Sequence, residues 1–248
     1  MKNPMSLSDK HILITGASSG IGRATAILAS ELGAKVSLVA RTEERLQETL
    51  SLMAGNEHHA FVSDLSDLNG IEDLCKNILD TMGTIDGFIH CAGIGINRPI
   101  ALSKPDFAES TMRINFYAFL ELVRILGKKK FSNEKASFIA VSSVAAIRGD
   151  KAQGVYSASK AALCGIIHPM AKELAARSIR VNALAFGMVR TEMYEAFQEN
   201  GGKEEALTAQ YLGLGSCEDA ANVSCFLLSN ASKFITGTTL VADSGYLS

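Results

Sequence analysis

The sequence predicts an α/β fold in a single domain: a doubly wound, seven-stranded parallel sheet with helices on both faces. Three observations predict it. Short β-branched runs alternate with longer amphipathic stretches along the whole chain, the pattern of stacked βαβ units. Seven such runs are present, enough for one large sheet. The 248 residues, 47% of them hydrophobic, suit one core, with no shift in composition to mark a linker.

The elements follow in order. His11–Thr15 is the first strand, and a glycine-rich turn leads from it into a helix over Ile21–Leu32. A second strand, Lys35–Ala40, feeds a helix over Glu43–Met53 with Thr42 placed to cap it. His59–Val62 is a short third strand, and Asp67–Met82 a helix behind Ser66 as cap. Ile85–His90 and Ser137–Ser142 are strands on either side of a long helix, Asp106–Lys128. The helix Val155–Arg177 holds Pro169, which removes a backbone donor and should bend it, with Gly165 leaving room for the ring. Arg180–Leu184, a helix over Glu218–Ser229, and Thr239–Ala242 complete the series. Between Ala185 and Ser216 no strand is expected. Met188, Met193, Tyr194, Phe197, Tyr211 and Leu212 mix there with Gly201, Gly202, Gly213 and Gly215, which suits a substrate lid over about 188–214.

Several classes of function are disfavoured. Twenty-four basic and 26 acidic residues leave a formal charge of -2, which offers no field for nucleic acid or an anionic membrane. Apolar runs are strand-sized, far below the ~20 residues of a membrane span. The polar start of the chain does not read as a secretory signal, so a cytoplasmic protein is expected. Five cysteines without a C-x-x-C pair suggest neither a disulfide framework nor a zinc site, and no metal is expected.

Thr15-Gly16-Ala17-Ser18-Ser19-Gly20-Ile21-Gly22 lies directly between the first strand and its helix. Glycines in that place let the backbone turn tightly and approach a pyrophosphate, and the helix start offers free N–H groups to it. An acid at the end of the second strand would hold the ribose 2′-OH of NAD. Here the strand ends Val39-Ala40-Arg41, leaving space and a permanently charged, planar partner for a 2′-phosphate. NADP(H) is therefore expected rather than NAD(H). The bland alternative is a solvated arginine opening a helix.

Tyr156 and Lys160 form a Y-x-x-x-K pair, one turn apart on one helix face. Free tyrosine, with a pKa near ~10, is a poor proton shuttle at neutral pH, and a nearby ammonium should lower that value. Ser143 precedes Tyr156 by thirteen residues at the end of the fifth strand, where open α/β sheets place ligands. It can orient a substrate oxygen toward the phenol. Its neighbour Ser142 belongs to the strand.

The Gly16, Gly20 and Gly22 spacing, together with Ser143, Tyr156 and Lys160, resembles the short-chain dehydrogenase/reductase family over almost the whole chain, with a Rossmann-like fold. The resemblance implies a carbonyl/alcohol oxidoreductase working by hydride transfer. It implies catalytic roles for Asn115, Ser143, Tyr156 and Lys160, with Asn115 helping to hold a water on the proton path and Lys160 also binding the nicotinamide ribose. It implies cofactor contacts from Gly16, Ser18, Ser19, Gly20, Ile21, Gly22, Arg41 and Thr42, from Asp64 and Leu65 at the adenine, and from Ala92 and Gly93. Gly187, Val189 and Thr191 are implied beside the nicotinamide and phosphates. Two positions depart from the pattern. Cys91 stands where the family has an asparagine that ties the sheet, and reads as a packed thiol; Phe186 replaces a proline and reads as a contact at the sheet edge.

Among members, the sequence is similar to 3-oxoacyl-ACP reductases. Ile94–Pro99, Val144–Gln153 and the lid would meet a partly apolar substrate, and Gln153 and Arg177 match positions in those enzymes. Lys128, Lys129 and Lys130 near Arg177 could receive an acidic acyl-carrier protein, although a lysine run at a helix end also complements the helix dipole. A homotetramer or homodimer is implied, with Asp106–Lys128 and Val155–Arg177 pairing across a two-fold axis. Two alternatives stay open: an NADP-linked reductase of a sugar, steroid or small ketone, and a nucleotide-binding regulator without turnover.

Overall fold

The structure, a computed structural model, describes residues 3–199 and 209–248. Seven strands form one parallel sheet in the order β3-β2-β1-β4-β5-β6-β7: β1 His11–Thr15, β2 Lys35–Ala40, β3 His59–Val62, β4 Ile85–His90, β5 Ser132–Ser143, β6 Arg180–Phe186 and β7 Thr239–Ala242. The order reverses between β1 and β4, so the crevice of a doubly wound sheet opens beyond the C-terminal ends of those strands.

Alternation along the strands splits the core into two layers. Leu13, Val39, Phe88, Phe138 and Val181 face α3 (Ile71–Met82), α5 (Ala118–Leu126) and α6 (Gly154–Leu174). Ile12, Ile14, Leu38, Ile89, Ile139 and Leu184 face α1 (Gly20–Glu31), α2 (Glu43–Ser51) and α8 (Cys217–Leu228). Phe88, Phe119 and Phe138 are fully buried and pack ring to ring with centroids 6.0 Å apart. Burying such a side chain is worth about 1.5–3 kcal/mol, so the inner strands β1, β4 and β5 hold the sheet firmly where the crevice opens.

The structure departs from the sequence-based expectations at several elements. β5 begins at Ser132 and β6 runs on to Phe186. Thr42 occupies the cap position of α2 but its side chain makes no capping bond, and Ser66 caps nothing. Instead Asp67 accepts from the Asn69 amide to start a 3-10 turn, Leu68–Gly70, ahead of α3. The long helix expected over Asp106–Lys128 is α4 (Pro105–Met112) and α5 joined by a π-helical turn, Arg113–Tyr117. Pro169 is carried within an unbroken α6, and a Cβ at Gly165 would meet nothing within 4 Å, so the glycine does not make room for the ring. The expected lid contains a helix, α7 Glu192–Glu199, while residues 200–208, with Gly201 and Gly202, and the Phe197 side chain lie outside the described residues. Among the described residues no helix is long and apolar enough to cross a membrane.

Candidate active site

A cavity of about 680 Å³ opens at the switch point between β1 and β4. Gly16, Ser18, Ser19, Gly20, Ile21 and Gly22 line it, as do Arg41, Thr42, Asp64, Leu65, Ala92 and Gly93. So do Ser143, Tyr156, Lys160, Gly187, Val189 and Thr191. Asn115 sits just behind this wall: a Cβ at Gly93 would lie 3.0 Å from its Oδ1 and 3.4 Å from the Lys160 Nζ.

The turn between β1 and α1 shows why glycine is needed. Gly16 has φ +65° and a Cβ there would lie 2.7 Å from the Ala92 backbone nitrogen; a Cβ on Gly22 would come within 2.2 Å of the Gly16 carbonyl oxygen. Ser19 opens α1 without a side-chain capping bond, which leaves the first N–H groups of the helix facing the cavity. Arg41 is exposed beside Asp64, whose carboxyl is held below the usual range by the backbone and side chain of Ser66, with a smaller pull from Arg41. Asp64 thus shapes its own turn while its chain segment lines the cavity. Glycines without room for a Cβ, free amides at a helix start and an exposed guanidinium at the end of β2 fit a phosphorylated dinucleotide.

At the other end of the cavity, β5 and α6 set the polar groups. Lys160 is 5% exposed and donates to the Val141 carbonyl at 2.8 Å. Burial lowers its pKa to about 8. Its Nζ lies 5.9 Å from the centre of the Tyr156 ring. Tyr156 itself is pushed above its ordinary value by burial, with Ser143 pulling the other way. The expected lowering by the lysine is not what sets the phenol among the protein's own groups: desolvation outweighs the Ser143 hydrogen bond. Ser142 is spent on the Lys160 carbonyl at 2.9 Å and on the Cys164 thiol at 3.2 Å, which leaves Ser143 as the hydroxyl beside the phenol.

Asn115 is fully buried in the π turn. Its Oδ1 accepts from the Ile94 amide at 2.8 Å, and its Nδ2 donates to the Ile94 carbonyl at 3.0 Å and to the Ser159 Oγ at 2.9 Å. Ser159 in turn donates to the Tyr156 carbonyl at 2.7 Å. A π turn widens a helix by one residue and is frequent at functional positions. Here it carries a poor helix former that ties three segments of the cavity wall together.

The two departures from the family pattern also have physical accounts. The Cys91 thiol is pushed up to about 12 by burial, so it is a packed thiol and not a thiolate. Phe186 is 4% exposed and is paired to Ser143 of β5 and Ala242 of β7, so it lies inside the sheet and not at its edge. The Gly187–Thr191 loop beyond it is held by Gln210, which sequence reasoning missed: this buried side chain accepts from the Met188 amide and donates to the Met188 and Gly213 carbonyls. Arg148 and Asp150 line the cavity within the expected Val144–Gln153 segment, and Tyr246 lines it unforeseen, with the Arg148 guanidinium 5.6 Å from its ring centre. Only tertiary folding brings Gln210 and Tyr246 in, and no local pattern announces them. Gln153 lines the cavity as expected, while Arg177 lies outside its lining and donates to the Gly127 and Ser132 carbonyls beside the lysine run.

Comparisons with known proteins agree with this geometry. Residues 16–247 match a family profile described as enoyl-(acyl carrier protein) reductase. A 3-oxoacyl-[acyl-carrier-protein] reductase, FabG, of Thermotoga maritima is 33% identical over 244 residues, covering 97% of this chain and 99% of that protein. Among solved structures, a short-chain type dehydrogenase/reductase from Mycobacterium ulcerans superposes with a TM-score of 0.89 at 27% identity, over 98% of this chain and 91% of that one. A blue fluorescent protein from a metagenomic library, solved in complex with NADPH, superposes with a TM-score of 0.89 at 25% identity, over 98% of this chain and all of the other. With a single parallel sheet, a glycine cradle at its switch point and near full-length matches of these kinds, the chain belongs to the short-chain dehydrogenase/reductase family, oxidoreductases acting on CH–OH and C=O groups, and is similar to its 3-oxoacyl-ACP reductases.

Proposed function

We propose that the chain is an NADPH-dependent reductase of 3-oxoacyl thioesters, in which Tyr156 gives a proton to the carbonyl oxygen. The observation that carries this reading is the Ser143, Tyr156 and buried Lys160 group at one end of a cavity whose other end is a glycine cradle with Arg41 beside it. A bound nicotinamide supplies the hydride. The amides at the start of α1 and the backbone of Gly16, Gly20 and Gly22 would hold its pyrophosphate, and Arg41 with Thr42 and Ser18 the 2′-phosphate.

Ser143 orients the substrate oxygen by a hydrogen bond, and Tyr156, protonated in the cavity, gives its proton to that oxygen as hydride arrives. Lys160, charged below about pH 8, stabilises the phenolate left behind. Asn115 fixes Ile94 and Ser159 around that lysine, so the proton that replaces the one lost by Tyr156 has an ordered route. The exposed Ile96, Ile100, Ile147 and Met193, in segments beside the cavity, suit an acyl chain more than a sugar. The segment with α7 serves as a lid over it.

An assay of NADPH and NADH oxidation with 3-oxoacyl thioesters, ketones, an enoyl thioester and oxidised sugars tests the reading. Turnover is expected with NADPH and the 3-oxoacyl thioester foremost. Reduction of the enoyl thioester alone, or equal use of NADH, contradicts it.

A further inference from the structure

We propose that His90 is a positioning residue that holds Asn115 in register with the glycine turn, through a hydrogen-bonded chain of fixed direction running from Thr15 to the π turn. The inference rests on the reductase reading above.

His90 ends β4 and is fully buried between Phe88 and Phe119, with ring centroids 6.2 and 5.9 Å away. Its Nε2 lies 3.2 Å from the Ile114 carbonyl oxygen, which can only accept, so that nitrogen carries the proton. The Nδ1, 2.9 Å from the Thr15 Oγ1, must then accept, and Thr15 donates. With its hydrogen committed, Thr15 Oγ1 is left to accept from the Ala92 amide at 3.4 Å. Each direction follows from the one before it. Burial and the nearby Lys160 charge push the imidazole down to about 3, so protonation does not break the chain in the range where the protein works.

The two ends of this chain are the two ends of the cavity. Thr15 is the last residue of β1 and adjoins Gly16, while Ile114 immediately precedes Asn115 inside the π turn. From Asn115 the bonds continue through Ser159 to the Tyr156 carbonyl. Cys91 cannot make these links, because a thiol pushed to about 12 and packed by burial has neither a strong donor nor a strong acceptor to offer. The adjacent imidazole is long enough to span from β1 to the helix layer, and it ties the turn that meets phosphates to the turn that carries the proton-relay asparagine.

Two measurements test this. Nitrogen NMR of the full chain, with His90 assigned by its loss in a variant, is expected to show the neutral Nε2–H tautomer from about pH 5 to 9; an Nδ1–H tautomer or a titrating ring overturns the proposal without reference to activity. The second compares His90→Asn, whose side chain reaches Thr15 but not Ile114, with His90→Gln, whose amide reaches both. In His90→Asn kcat is expected to fall about 10- to 100-fold, as a misplaced catalytic group costs. KM for NADPH should stay within about twofold, and the solvent deuterium isotope effect on kcat should rise as proton transfer becomes limiting. His90→Gln should recover most of the rate. Equal rates in His90→Asn and wild type, no recovery in His90→Gln, or a fall in kcat with an unchanged isotope effect overturns the positioning role. A wild-type chain that reduces no carbonyl overturns instead the reductase reading on which it rests.

Discussion

At Lys160 one ammonium meets opposed demands from burial and from the proposed chemistry. Burial lowers its pKa from the ordinary 10.5 to about 8. Between those two values the unfolded chain holds more protons than the folded one, so this group's contribution to stability rises with pH across that window. Reductase activity, which needs the charge, should fall as pH passes about 8. The expected result is an activity profile dropping above about pH 8 while the stability gap between Lys160→Met and wild type narrows; activity that holds flat to pH 10 contradicts the role given to the ammonium. Arg41 offers a second test at this scale. Arg41→Ala should raise KM for NADPH by about tenfold or more while leaving KM for NADH within about twofold, since a charged pair to phosphate is among the stronger hydrogen bonds. The residues proposed for proton transfer were legible because Tyr156, Lys160 and Ser143 stand at fixed spacings, while Asn115 was named only through the family resemblance. Gln210 was not, since a glutamine in a loop has no pattern until the fold places it over the Met188 backbone.

Single elements show which physical signals reach the sequence. β1 to β4 and β7 match their expected bounds because short runs rich in β-branched or aromatic residues stand between polar, turn-forming segments. β5 was read short because Ser132–Ala136 is polar; Ser132 pairs with Ile85 of β4, Asn133 bonds to Thr84 and Asp86, and Lys135 takes φ +65° where the register shifts. The π turn is silent in composition: one inserted residue in Arg113–Tyr117 changes the phase of a helix and not its residue types. Capping was half legible. At α8, Ser216 accepts from the Asp219 amide and Asp219 accepts from the Ser216 amide, a reciprocal cap at a position the sequence reading had passed over. Ser216→Ala should cost about 1 kcal/mol, read as a fall of roughly 2–4 °C in Tm, with activity intact; no change in Tm would show that α8 is held by packing alone. Gly16→Ala belongs to the same scale. Its Cβ would strike the Ala92 backbone, so dinucleotide affinity is expected to be lost by equilibrium titration even where the variant folds.

Taken whole, the molecule places its chemistry by topology. The doubly wound order brings the ends of β1, β4 and β5 together, and the α1 amides, the π turn and α6 converge there from both layers. That convergence was legible as a fold class, because alternating strands and helices imply it. What fills the substrate end was legible only in part: Arg148 and Asp150 lie in the expected Val144–Gln153 segment, whereas Tyr246 comes from a segment far off in sequence. The central claim is that Tyr156 is the proton donor of this assembly, and Tyr156→Phe measures it most directly, since it removes one oxygen and leaves the packing. The account expects NADPH binding, measured by fluorescence titration, within about twofold of wild type and turnover of a 3-oxoacyl thioester lower by about 10²- to 10⁴-fold. A variant that reduces the thioester at the wild-type rate would contradict it.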